Sequence, residues 1–533
     1  MDAYLPPFWP TVVLVSLLIS VAGVAWLVRK RHTFPVWVTD RFYFGLPWGS
    51  IIVLGVVLAI YLVVQDGITA FDQPVFLPFV NWSYLYPTGV LLSAFTHASA
   101  GHLLSNLVAA AVLAPLAEYI WGHYPNRLRW KRRHHPAVRA FLIFPVTVLV
   151  FGLVTSLFTW GPVIGFSGVV FAFAGFTVIR FPMVTVVALL GRSALRHVGD
   201  SLFNPIVEAT TTTTMSTPAW VGISFQGHGI GFLVGAFLGV LLLHYRDQDI
   251  DPLRLWIGLL LVMIGMGLWA IWGSRGEDVY VLYRGLGTAL IFLAAILITA
   301  VAVSSDRPIT NWWTRRRVAV LVLAIPILIL AGIAMPLNAL AISDYETPER
   351  AVTVDGYDVF YATDAQSALR PVLYDSEPGS EISGVIVVNE ERYLWTQGIS
   401  SERLAHSGAG SITIGGPMER VDLTANRTAW EPAGNDSVYL VDLEGDGIDT
   451  PVYASNASTA EHLLGGYQIA LDADVDDGFS LRITDPGGTT EAVGMPAANE
   501  SVTVGAISVE RETDALFGVY DDTRVQIAER GDD

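Results

Sequence analysis

Ser167 stands in Gly165-Phe166-Ser167-Gly168, at the mouth of an apolar stretch that continues Val-Val-Phe-Ala-Phe-Ala-Gly-Phe. Two further apolar stretches carry His102 with Asn106 and, separately, His228. Reactive or ionisable groups at membrane depth are costly unless they face a bundle interior or a wet cavity, so they raise the expectation of a functional site. A nucleophile, a base and hydrogen-bond donors in one apolar core are the parts needed to hydrolyse a peptide bond inside a bilayer. Each part also has a plainer reading, because small and polar residues let membrane helices approach and hydrogen-bond one another.

Helical geometry brings the groups to bear. His102 and Asn106 are four residues apart and share one helix face. Before Ser167 the chain is broken by Gly161-Pro162, so the serine falls in the first turn of a new helix, where unpaired backbone N–H groups can bind an oxyanion. His228 lies in Gly227-His228-Gly229-Ile230-Gly231-Phe232-Leu233-Val234-Gly235. Glycines at 227, 231 and 235 form a four-residue ladder that admits a neighbouring helix. A base must come within about 3 Å of the hydroxyl it deprotonates, which requires such closeness.

The whole chain predicts a membrane setting for these groups. It has 533 residues, 52% of them hydrophobic. Runs long enough to cross about 30 Å of hydrocarbon fall near 9–28, 47–65, 99–121, 139–159, 165–181, 222–244, 254–273, 279–302 and 318–341. A weaker run at 182–199 is interrupted by Arg192 and Arg196. The first run lacks a basic leader and precedes Arg29-Lys30-Arg31-His32, so it reads as a span and not as a cleaved signal. Arg-rich segments at 29–41, 127–139, 246–254 and 307–317 all fall on the cytoplasmic side only if 182–199 also crosses, giving ten spans. The 66–96 and 200–221 loops and everything after 341 then lie outside. Ser167 and His228 share the outer half of the membrane.

From Asp344 onward the composition changes. There are 36 Asp and Glu against 10 Arg and no Lys, a net of −26 in a chain of −18, which leaves +8 elsewhere. Lys30 and Lys131 are the only lysines. So acidic a surface, nearly without Lys, fits a halophilic source, an archaeon, where concentrated salt screens self-repulsion; an ordinary acidic exported domain is the plainer reading. Short alternating runs such as 384–388, 437–441, 467–471 and 501–504, separated by Gly, Asp, Asn and Pro, predict mostly antiparallel strands. Asn426, Asn435, Asn456 and Asn499 open Asn-x-Ser/Thr sequons, which accord with external exposure. The absence of cysteine excludes disulfides and thiol catalysis.

Taken in order, His97-x4-His102-x3-Asn106, Gly165-x-Ser167-Gly168 and His228-x2-Gly231-x3-Gly235 resemble the rhomboid family of intramembrane serine proteases over roughly residues 45–245. Glu118 with Gly122, and Gly175, match as well. The resemblance implies Ser167 as nucleophile and His228 as general base without an acidic third member. It implies His102, Asn106 and the Ser167 N–H as oxyanion donors, with His97, Gly165 and Gly168 supporting them. Gly231 and Gly235 would serve helix packing. Phe171 stands where the family usually has Tyr, so its ring can stack on His228 but not hydrogen-bond. The loop before His97 lacks a clear Trp-Arg pair, although Trp82 is near; Gly227 replaces a usual Ala; and 200–221 is unusually long.

The expected architecture is a polytopic α-helical membrane protein. It has an extra N-terminal helix and basic loop (1–44), a six-helix rhomboid-like core (45–246), three additional helices (247–343) and an acidic β-rich extracytoplasmic domain (344–533). The reading is a multi-pass cell-membrane protein that cleaves other transmembrane proteins in the lipid bilayer, with no cofactor, metal or nucleic acid; the sequence sets no oligomeric state. Substrates would be single-span proteins whose helices are weakened by Gly, Ala, Ser or Pro near the outer side. The 182–199 span and 200–221 loop are candidates for a moving gate. Asp442-x-Glu444-x-Asp446-Gly447 and Asp472-x-Asp474-x-Asp476 hint at calcium, but Tyr453 and Ile483 stand where a closing Glu belongs, so solvated acidic loops are expected. Three other functions compete: an inactive rhomboid-like protein that binds membrane clients, a zinc site of His97, His102 and His228, and a transporter, for which no internal repeat is visible.

Overall fold

The computed structural model describes residues 9–29, 41–122, 135–203, 218, 220, 221, 223–274, 279–343, 345, 347–374 and 381–531. Most of the expected basic loops at 29–41 and 127–139, and the Thr210–Thr214 run, lie outside the described residues. The chain divides into two compact units, one of Met1–Leu340 with Pro371–Tyr374, the other of Ala341–Arg370 with Asp375–Asp533.

The first unit is helical. Its principal helices are α1 (Trp9–Arg29), α2 (Trp48–Ala59, running on through a π turn to Val64), α3 (Pro87–Leu92), α4 (Ala100–Trp121) and α5 (Phe144–Phe158, led in by turns from Pro136). They continue with α6 (Ser167–Arg180), α7 (Pro182–Phe203), α8 (Phe225–Tyr245), α9 (Pro252–Gly265), α10 (Arg284–Ala302) and α11 (Arg315–Leu337). Among the described residues five helical stretches, Ala100–Trp121, Pro136–Phe158, Phe225–Tyr245, Arg284–Ala302 and Arg315–Leu337, are long and apolar enough to cross a membrane.

Local chemistry sets the helix ends. Ser99 caps α4 by accepting from the His102 N–H, Asp251 caps α9 through Arg254, and Thr314 caps α11 through Arg317. Two expected runs end differently. The 254–273 run stops being helical at Gly265, where Gly267 turns left-handed at φ 77°, and continues as the strand Trp272–Ser274. That strand pairs antiparallel with Tyr280–Leu282, so the next helix starts at Arg284 and not at 279. The expected weak run at 182–199 is one continuous helix, α7.

α6 and α8 pack along their glycines. A β-carbon on Gly231 would be driven into the Gly168 carbonyl, one on Gly235 into that of Ala172, and one on Gly175 into that of Phe232. Backbones this close leave room only for hydrogen as a side chain. At the far end of α4, the buried Glu118 carboxyl accepts from the N–H groups of Gly49 and Ser50 and from the Ser50 hydroxyl, at 3.1, 2.8 and 2.8 Å, fastening α4 to the start of α2.

The second unit is mostly β, and its named strand pairs are antiparallel. An eight-stranded sheet is built on the long strand Glu419–Pro432, which pairs with Ala409–Gly416 and Val438–Gly445 and, at its end, with Thr523–Arg530. Two four-stranded sheets include Tyr357–Ala365 beside Ile382–Asn389 and Gln468–Asp474 beside Gly478–Thr484. The alternating runs expected from sequence fall on these strands. The suspected calcium motifs are hairpin turns: Asp446 and Gly447 carry positive φ between paired strands, and the Asp474 carboxylate accepts from the N–H groups of Asp476 and Asp477.

Candidate functional site

The site is assembled from α4, α6 and α8 and the loops before α4 and α6. Ser167 is the first residue of α6. Its approach is fixed by Gly165, whose φ of 117° is closed to other residues and whose N–H donates to the Ser93 carbonyl at 2.7 Å. A β-carbon on Gly165 would lie 2.7 Å from His102 Nε2 and 3.6 Å from Asn106 Nδ2. Glycine is therefore what lets the His102–Asn106 face stand against the chain entering α6. Gly168 packs less tightly on Thr155, whose Cβ would lie 3.0 Å from a β-carbon there.

His228 Nε2 lies 2.8 Å from Ser167 Oγ. The imidazole stacks on Phe171, with ring centroids 4.2 Å apart and planes 11° apart. Its Nδ1 is buried and has no hydrogen-bond partner among the described residues. A hydroxyl so placed can pass its proton to the imidazole, with stacking and helix packing holding the ring.

Asn106 is buried, and its Nδ2 also lacks a partner among the described residues. An amide donor left unpaired in a closed interior costs free energy that a ligand oxygen would recover. Within α6, the N–H groups of Ser167 and Gly168 precede the first intrahelical bonds, which run from Val169 and Val170 to Phe166. Donors thus converge from two elements on one space.

His97, expected at the loop edge, lies in the loop before α4 and is fully buried there. Its Nε2 accepts from the Phe166 N–H at 3.4 Å and its ring meets that of His102 edge-on at 5.1 Å. Gln65 brackets it, accepting from the His97 N–H and donating to the His97 carbonyl, both at 2.8 Å. With the Nε2 atoms of His97 and His228 engaged elsewhere, the three imidazoles do not converge as a zinc site would need. Among the described residues no group of His, Asp or Glu is arranged to hold a metal ion.

A cavity of about 520 Å³ opens on Ser167, His228, His102 and Asn106, and reaches Arg192 on α7 and Met266 after α9. Sequence reasoning read Arg192 only as an interruption of a weak span. It also missed three residues that hold the approach to Ser167. Asn338, capping α11, accepts from the Gly161 N–H at 2.8 Å and donates to the Thr159 carbonyl at 2.5 Å. Gln226 accepts from the Trp160 N–H and donates to the Phe158 and Leu330 carbonyls. Asn81 donates to the Ser156 carbonyl, next to a backbone bridge to Val163. Their signal was an amide side chain at the edge of an apolar run, a pattern shared with ordinary helix caps.

Residues 85–245 match the family model described as Rhomboid domain. Neither the curated proteins nor the solved structures yield a match to the chain.

Proposed function

We propose, from the premise that this chain belongs to the rhomboid family, that it is an intramembrane serine protease cleaving transmembrane proteins through Ser167 and His228. The observation that carries this reading is the 2.8 Å contact between Ser167 Oγ and His228 Nε2, set beside an unpaired Asn106 amide. Ser167 Oγ attacks the scissile carbonyl carbon while His228 Nε2 takes its proton. The resulting oxyanion accepts hydrogen bonds from Asn106 Nδ2, His102 and the Ser167 N–H, donors that a low-dielectric setting makes stronger. His228 then protonates the leaving amine, the C–N bond breaks, and water activated by the same imidazole releases the acyl-enzyme.

Helix length supports an intramembrane setting. α6 has 14 residues, about 21 Å of rise, less than the roughly 30 Å of hydrocarbon. With Arg180 at its other end, Ser167 begins the helix inside the apolar layer. The core of six helices, α2 and α4 to α8, carries α1 before it and α9 to α11 after it, ten spans in all. The acidic β unit is outside the cell, a placement supported by the Arg-rich segments of the sequence, and its composition fits a halophilic source. α7 remains the candidate gate.

Labelling with a fluorophosphonate probe tests the assignment directly. The native chain is expected to label, Ser167→Ala not at all, and His228→Ala at least 1000-fold more slowly. Labelling that persists in Ser167→Ala removes the nucleophile. A native chain that binds a single-span substrate yet neither labels nor cleaves is a client-binding protein instead.

A further inference from the structure

We propose that Arg192 makes this cavity selective for substrates bearing a carboxylate close to the scissile bond. The inference rests on the protease reading and adds a residue that the reaction itself does not require. Arg192 is half-buried on α7, where its Nη2 donates to Ser105 Oγ at 3.0 Å. Ser105 sits on α4 between His102 and Asn106, and all four side chains line the cavity that opens on Ser167.

The charge of Arg192 has no counter-ion among the described residues. Among the described residues no carboxylate lies within 4.0 Å of it, whereas Arg196, one turn further along α7, pairs with Asp200 at an exposed position. Among the described residues that line the cavity there is no Asp, Glu or Lys, so Arg192 carries the only formal charge among them. A guanidinium carries five N–H donors in a planar fork suited to a carboxylate, and Ser105 uses one of them. Were the arginine present only for solubility, its flexible stem could carry the charge out to the membrane surface. It turns instead onto the face that carries His102 and Asn106. A substrate segment unwound beside Ser167 would bring its neighbouring side chains past this fork, and an Asp or Glu there would supply the missing countercharge.

The test uses the full chain in phosphatidylcholine vesicles with a single-span substrate carrying Glu, Gln or Lys at each of the four positions on either side of the cleaved bond. The native chain is expected to cleave the Glu form roughly 10-fold better than the Gln form at one or two positions, in kcat/KM, with Lys worse still. Arg192→Gln should bring the Glu to Gln ratio to within about twofold. Arg192→Lys should keep the preference, and Arg192→Glu should invert it toward Lys. Fluorophosphonate labelling of Ser167 in each variant reports an intact site, and the charge-retaining and charge-reversing variants serve if Arg192→Gln does not fold. A native chain without charge preference at any position, or a Glu preference that survives Arg192→Gln or Arg192→Glu, overturns the role of Arg192 while leaving the protease reading intact. A native chain that neither labels nor cleaves overturns both.

Discussion

The helical and the β unit place polar side chains in opposite ways. Among the described residues, every buried polar or charged side chain lies at or before Asn338 except Asn389 and Arg427. In the β unit, charge stays outside: Asp476 with Arg350, and Glu510 and Glu512 with Arg524, pair at half-exposed positions where each pair contributes little. Where its strands do bury a cation, the Arg427 guanidinium lies over the Tyr439 ring at 4.4 Å and donates to Ser437 Oγ at 2.9 Å. The helical unit instead gathers Gln65, Asn81, His97, Asn106, Gln226 and Asn338 around the approaches to α4 and α6. An unsatisfied polar group in an apolar surrounding costs free energy, and the Asn106 amide, which has no partner among the described residues and lines the cavity on Ser167, fits the proposed oxyanion site.

That contrast is most exposed to failure at Asn106. Asn106→Ala removes a donor from the proposed oxyanion site and is expected to lower kcat about 100- to 1000-fold while Ser167 stays beside His228. Tyr439→Phe, which deletes a half-buried hydroxyl in the β unit, should leave cleavage unchanged. Comparable losses from both would erase the distinction. Gly235→Val comes next. Its added carbons collide with the Ala172 carbonyl, which should destabilise the α6–α8 pair by about 3 kcal/mol, seen as a lower melting temperature together with lost probe labelling. A stable, fully labelled Gly235→Val would mean that the helices can separate without parting Ser167 from His228.

Asn338 sharpens the comparison, because α11 lies beyond the matched domain at 85–245 yet secures the loop that leads to Ser167. Asn338→Ala leaves the Gly161 N–H and the Thr159 carbonyl without these partners, at about 1–3 kcal/mol. Cleavage should fall roughly 10-fold, and Asn338→Asp, which keeps the acceptor for Gly161, should recover part of it. Unchanged kinetics would make α11 a bystander to the site.

The residues of the proposed dyad and oxyanion site were legible because each is conspicuous for its surroundings: a serine after a glycine break, a histidine among glycines, an amide one turn from an imidazole. The helices were legible from apolar length and the strands from alternation. What escaped were long-range partners. Nothing local to Gln65 says that it brackets His97 from 32 residues away, nor to Asn338 that it reaches Gly161 from 177 away. Arg192 escaped for a different reason. An arginine in an apolar run lowers the apparent strength of a span whichever way it points, and only the packing of α7 on α4 turns it toward Ser105. The end of α9 at Gly265 escaped because hydropathy continues unbroken through a left-handed glycine.

The smallest expected effect belongs to the β unit and concerns Asp442. It sits half-buried on Val438–Gly445, where burial and the neighbouring Asp449 raise its pKa above the usual 3.8. A carboxyl whose folded pKa is raised opposes folding once ionised, and this opposition is complete above the folded value and absent below the unfolded one. Asp442→Asn should therefore stabilise the β unit at neutral pH, by no more than about 1 kcal/mol because solvent screens the group. The gain should shrink as pH falls toward 3.8. High salt should shrink it too, since the Asp449 repulsion is screened, and the catalytic rate should not follow it. A melting temperature that falls on substitution at pH 7 would show that Asp442 has a favourable use in the β unit, and that its polar groups are not all held merely at the surface.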